Sequence, residues 1–149
     1  MLPLVHSVVI ALHVLLAASW FGLSLSLPSL ARAVTSPDAA RGEKVMSAMS
    51  GSVALFYVFA VANWVVGRRL GFEIQYNHWA YHTSLTLGLI LVLVHFILIR
   101  RAWIRYVAHA GTPEADAARK KLSMGLGIGH MVWLALFVLM YVGRGLVGG

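Results

Sequence analysis

Cysteine is missing from all 149 residues. That excludes a disulfide, a thiolate nucleophile, an iron–sulfur cluster and a c-type haem attachment site. Charge is scarce as well. Only 11% of the residues are Asp, Glu, Lys or Arg, against about 25% in a water-soluble domain. So little charge cannot cover a water-facing surface. The five acidic residues, Asp38, Glu43, Glu73, Glu114 and Asp116, all fall outside the long apolar runs. A proton pump or cation carrier usually places a carboxylate within the membrane, so those readings weaken. What the chain has in quantity is apolar: 60% of residues are hydrophobic and the mean hydropathy is +0.80. A cytoplasmic enzyme, a nucleic-acid-binding module and a disordered tail are excluded. The isoelectric point near 10.4 does not point to nucleic acid, because the basic residues sit in short blocks between apolar runs. Such blocks belong at membrane surfaces.

A helix needs about 20 apolar residues to cross the hydrocarbon core. Four segments qualify, at residues 2–30, 45–67, 78–100 and 122–142, within one domain spanning 1–149. The first lacks a basic leading region and is too long for the core of a signal peptide, so it is expected to be a mature helix. Ser36-Pro37-Asp38 reads as a helix start, since serine caps and proline fits the first turn. Gly111-Thr112-Pro113 reads as a break followed by a restart, with Glu114 and Asp116 suited to a helix N-terminus.

Let X be the face that carries the N-terminus and Y the opposite one. Four crossings return the C-terminus to X. Face Y then holds Arg32, Arg41, Lys44, Arg100, Arg101, Arg105, Arg119, Lys120 and Lys121, and face X holds Arg68, Arg69 and Arg144. This asymmetry predicts a cytoplasmic Y and outside termini, in a bacterial inner (cytoplasmic) membrane. Short connections make neighbouring helices antiparallel. The expected fold is an all-α integral membrane protein, an antiparallel four-helix transmembrane bundle.

The spans contain His6, His13, His82, His95 and His130, with His78 at an edge. A histidine in hydrocarbon is costly unless it pairs, hydrogen-bonds or binds metal. At 1.5 Å per residue, His6, His13 and His82 fall roughly 6 to 16 Å inside face X, and His95 and His130 roughly 7 to 12 Å inside face Y. Depth therefore sorts them into two layers. His6, His13 and Trp20 are spaced by seven and share one helix face. Facing histidines from different helices can ligate a b-type haem axially. Small residues at Ala17-Ala18-Ser19, Gly88 and Gly125-x-Gly127-x-Gly129 suit a flat macrocycle, and equally suit plain helix contact. Simpler roles exist for several residues. His6 and His78 fit interfacial side chains, and His109 a solvated one. Trp79, Trp103, Trp133, Tyr76 and Tyr81 read first as an aromatic belt or packing. Asn63 suits an interhelical hydrogen bond. Met46 and Met49 read as filler before copper ligands.

The run His13-Val-Leu-Leu-Ala-Ala-Ser-Trp20-Phe21-Gly22 resembles the first-helix signature of the HemJ-type protoporphyrinogen oxidases and the related CopD-type copper-resistance membrane domains. His82-Thr-Ser-Leu, followed thirteen residues on by His95-Phe, adds a second match. The resemblance covers most of the four helices through two short motifs. It implies a four- or five-helix membrane protein that binds haem b, with His13 and His82 as the transferable haem positions. The lysine that this family carries two residues after the third-helix histidine is Ser84 here, so porphyrinogen oxidation is not implied. His130 lies outside the family pattern and supplies a partner for His95.

The expected function is a membrane haem b protein that transfers electrons, alone or as an oxidoreductase component of a larger redox complex or homo-oligomer in the lipid bilayer. One haem b or two would be held by His13 (or His6) with His82, and by His95 with His130. No nucleic acid is expected among its partners. Two other readings stand beside it: a HemJ-like protoporphyrinogen oxidase, and a cofactor-free accessory subunit of a respiratory or photosynthetic complex.

Overall fold

The computed structural model describes residues 2–32, 36–71 and 78–147, with side chains at 3–32, 39–71 and 78–141. Tyr76 lies outside the described residues. Helix α1 covers Leu2–Leu30, α2 Ser36–Arg69, α3 Trp79–Leu93, α4 Arg101–Ala108 and α5 Pro113–Val147. A π-helical segment, Val94–Arg100, joins α3 to α4 without interruption. The result is four long rods, and no strand occurs among the described residues. The protein is an all-α bundle that spans the membrane.

The apolar stretches of the four rods are 28, 31, 30 and 29 residues long. At 1.5 Å per residue each exceeds the roughly 30 Å hydrocarbon core. Much of the excess lies on face Y. There α2 begins at Ser36 and α5 at Pro113, about nine residues ahead of the apolar runs that predict them, at the two start signals seen in the sequence. Gly71 and Gly111 take the left-handed conformation, φ 84° and 85°, in the turns that end α2 and α4. Only glycine adopts it without strain.

Packing divides the bundle into two hairpins. The α1–α2 contact is by far the most extensive, and α5 packs along the whole third rod. Between the hairpins, α2 meets α3 and the π-helical segment, whereas α1 meets α5 sparsely. In lipid no hydrophobic force drives helices together, so close backbone approach at small residues carries the association. Gly88 lets α3 approach Phe56 and Tyr57 of α2, Gly125 lies against Leu98 and Ile99, and Gly129 lies against the Trp20 ring. Gly88, Gly125 and Gly129 therefore serve helix contact, whereas Gly127 has nothing within 4 Å of an added Cβ.

The buried core of the bundle continues into the face-Y extensions. Trp103 is fully buried and its indole N–H donates to Glu43 Oε2 at 2.9 Å. A Cβ on Gly42 would collide with that ring. The Tyr106 hydroxyl donates to the Ala31 carbonyl, tying α4 to the end of α1. Trp103 and Trp133 are thus packing residues. Trp133 donates to the Ala17 carbonyl at 3.2 Å and stacks on Phe21 and Phe137. Trp79, which is 57% exposed, suits an interfacial belt. Met46 and Met49 are completely buried core filler.

Candidate functional site

Polar side chains inside the bundle gather around Trp20. Its indole is 1% exposed and meets two imidazoles edge-on, His95 at 6.4 Å and His130 at 6.1 Å between centroids. His95 is fully buried and rises from the π-helical segment. Such i→i+5 turns are rare and concentrate at functional positions.

Counting donors assigns the proton on His95. The Trp20 Nε1–H can only donate, and it reaches His95 Nδ1 at 3.3 Å. Nδ1 is therefore the acceptor, and Nε2 carries the hydrogen. That Nε2–H meets Ser50 Oγ at 2.9 Å. Ser50 Oγ also accepts from Arg100 Nη1 at 2.8 Å and gives its own hydrogen to the Met46 carbonyl at 2.8 Å. A hydroxyl has one hydrogen and two lone pairs, and all three are used. His95 is a neutral imidazole with both nitrogens bonded.

His130 and His13 are likewise each held in one tautomer. Ser24 gives its hydrogen to the Phe21 carbonyl at 2.6 Å and meets His130 Nε2 at 2.7 Å. His130 Nε2–H is then the donor and Nδ1 holds the lone pair. His13 is buried, stacked on Phe56 at 4.6 Å, and its Nδ1 lies 3.2 Å from the Phe56 carbonyl. A carbonyl only accepts, so Nδ1 carries the hydrogen and Nε2 holds the lone pair. Metal-ligating histidines are commonly fixed by this same N–H to carbonyl bond.

The remaining sequence candidates lie elsewhere. His82 is on the exposed side of α3, and no contact joins it to His13 among the described residues. Ser84 gives its hydroxyl hydrogen to the Ala80 carbonyl of its own helix at 2.7 Å. His6 is partly buried near the face-X end of α1. His78 caps α3, its Nδ1 accepting the Ala80 N–H at 3.4 Å. Among the described residues no three of His, Asp and Glu converge.

A haem between His95 and His130 does not fit this arrangement. The Trp20 ring packs against both imidazoles, and ligation through His95 would break one of its two hydrogen bonds. His13 does fit the donor chemistry of an axial ligand. The sequence reading missed Ser24, Ser50 and Arg100. Arg100 had counted only as a face-Y charge, and the serines were lost among apolar neighbours. A polar side chain recurring inside an apolar run is the available signal. Compared with models of protein families, with curated proteins and with solved structures, the chain matches none of them.

Proposed function

We propose that this membrane protein binds one haem b through His13 Nε2 and transfers electrons, alone or as part of a larger redox complex or homo-oligomer. The observation that carries the reading is the His13 Nδ1–H held by the Phe56 carbonyl, which leaves Nε2 as the nitrogen able to meet iron. The group, when bound, supplies one-electron redox chemistry. The chain holds the imidazole in one tautomer, and burial of the ring keeps it from water. The donor count around His95 supports one haem rather than two. The nine basic residues on face Y support a cytoplasmic Y with both termini outside, in a bacterial inner membrane.

A second reading is favoured by a different observation. The His95–Ser50–Arg100 network is complete without any cofactor, and many large apolar side chains are exposed, among them Met131 at 68% and Leu134 at 50%. Both suit an accessory subunit whose histidines join helices and whose apolar faces meet lipid or a partner. The HemJ-like oxidase reading gains nothing from Ser84, whose hydroxyl is occupied by its own helix.

A dithionite-reduced minus oxidised spectrum of the purified chain, with pyridine haemochrome quantification, separates the two. A b-type α band at one haem per chain is the expected result. No haem in protein made with ample haem supply overturns it in favour of the accessory subunit.

A further inference from the structure

The ends of α1 and α5 on face Y enclose a depression of about 350 Å³. Arg32, Arg119 and Lys120 line it towards the face-Y ends of the helices, and Pro28, Leu122, Ser123 and Leu126 line it deeper along them. A second depression of about 470 Å³ shares Arg32 and Arg119 and opens beside it. The Tyr106 hydroxyl bond to the Ala31 carbonyl fixes the wall between the two. Arg119 has an exposed ion pair with Asp116 at 3.3 Å through Nη2, and guanidinium donors beyond Nη2 can serve a further acceptor.

We propose that this depression is a binding site for an anionic phospholipid. The phosphate of the headgroup sits among Arg32, Arg119 and Lys120, and the start of an acyl chain lies over Pro28, Leu122 and Leu126. Two observations carry this. Charge is graded along the pocket, basic at the outer end and apolar at the inner end, in the order in which a lipid presents headgroup and chain. The pocket also lies where membrane-spanning helices meet the basic face, where pockets between helices take phosphate headgroups. A free phosphate would use the rim and leave the apolar wall without a role.

The test uses the full chain in neutral detergent. Thermal midpoints and lipid retention by native mass spectrometry are measured with phosphatidylglycerol, phosphatidylcholine or inorganic phosphate. Phosphatidylglycerol alone is expected to raise the midpoint and to be retained. In Arg32→Gln/Arg119→Gln/Lys120→Gln its affinity should fall roughly a hundredfold, each basic side chain near an anionic surface being worth about fivefold. Lys44→Gln/Arg101→Gln/Arg105→Gln removes the same charge from the same face outside the pocket and should retain the lipid. Ser123→Phe fills the pocket while keeping its charges, and should abolish the preference even where the triple variant folds poorly. Equal loss in the two triple variants overturns the site in favour of bulk charge. Inorganic phosphate matching the lipid overturns the lipid assignment, and so does a Ser123→Phe chain that still prefers phosphatidylglycerol.

Discussion

The indole N–H of Trp20 on α1 is aimed at Nδ1 of His95 in the π-helical segment, 3.3 Å away and 75 residues on in sequence. Because the indole N–H can only donate, Nδ1 is the acceptor and the imidazole is held in its Nε2–H form, and Ser50 and Arg100 complete the arrangement. The expected signature is a histidine resonance pair with a protonated Nε2 and an unprotonated Nδ1 in 15N spectra of the reconstituted chain. A doubly protonated or rapidly exchanging His95 at neutral pH would contradict it.

Trp20→Phe removes the donor, keeps an aromatic ring and leaves a buried acceptor unpaired. A cost of about 1–3 kcal/mol is expected, read as a lower unfolding midpoint in detergent or bicelles. No change would mean that the Trp20–His95 contact is packing alone.

Ser50→Ala leaves both the His95 Nε2–H and an Arg100 donor without their acceptor. Its effect should depend strongly on whether His95 is present. In a cycle with His95→Phe, a coupling of about 0.5–3 kcal/mol is expected for residues sharing one network. Additive effects would show the three side chains to be independent.

Two glycines in the same bundle should respond in opposite senses to a single methyl group. Gly42→Ala drives a Cβ into the buried Trp103 ring, and should cost about 1–3 kcal/mol through overpacking. Gly127 has nothing within 4 Å of its added Cβ. Gly127→Ala should be neutral or stabilise by about 0.5–1 kcal/mol through helix propensity. Thermal midpoints of the pair decide this.

If His13 holds the haem, His13→Ala loses the b-type spectrum, while His130→Ala and His82→Ala retain it. Retention in His13→Ala together with loss in His82→Ala would relocate the ligand to the exposed side of α3 and imply an interface with another chain.

The number of helices and their order are legible in the sequence, because lipid demands long apolar runs and the breaks carry distinct residues. Ser36 and Pro113 start helices where the sequence signals it. The facing of each helix is less legible. A rod that is apolar all round gives little information on which side is inside, so the histidines could be sorted by depth but not by angle. One angle was available. Thirteen residues at 100° place His82 and His95 about 140° apart around an α-helix, so a buried His95 already turns His82 outward. The hydrogen-bond partners of His95 come from two other rods, and no local pattern announces them.

The i→i+5 stretch at Val94–Arg100 is, in winding terms, a surplus residue lodged in an otherwise α-helical rod. Wound as plain α-helix with the same residues, the rod would turn further over this stretch. Everything on one side of it would then swing by about 100° relative to the other. Either Gly88 would leave its seat against Tyr57, or Trp103 would leave its place over Gly42. The extra residue acts as a phase adjuster, letting one continuous rod meet two neighbours that it could not satisfy with a single uniform twist.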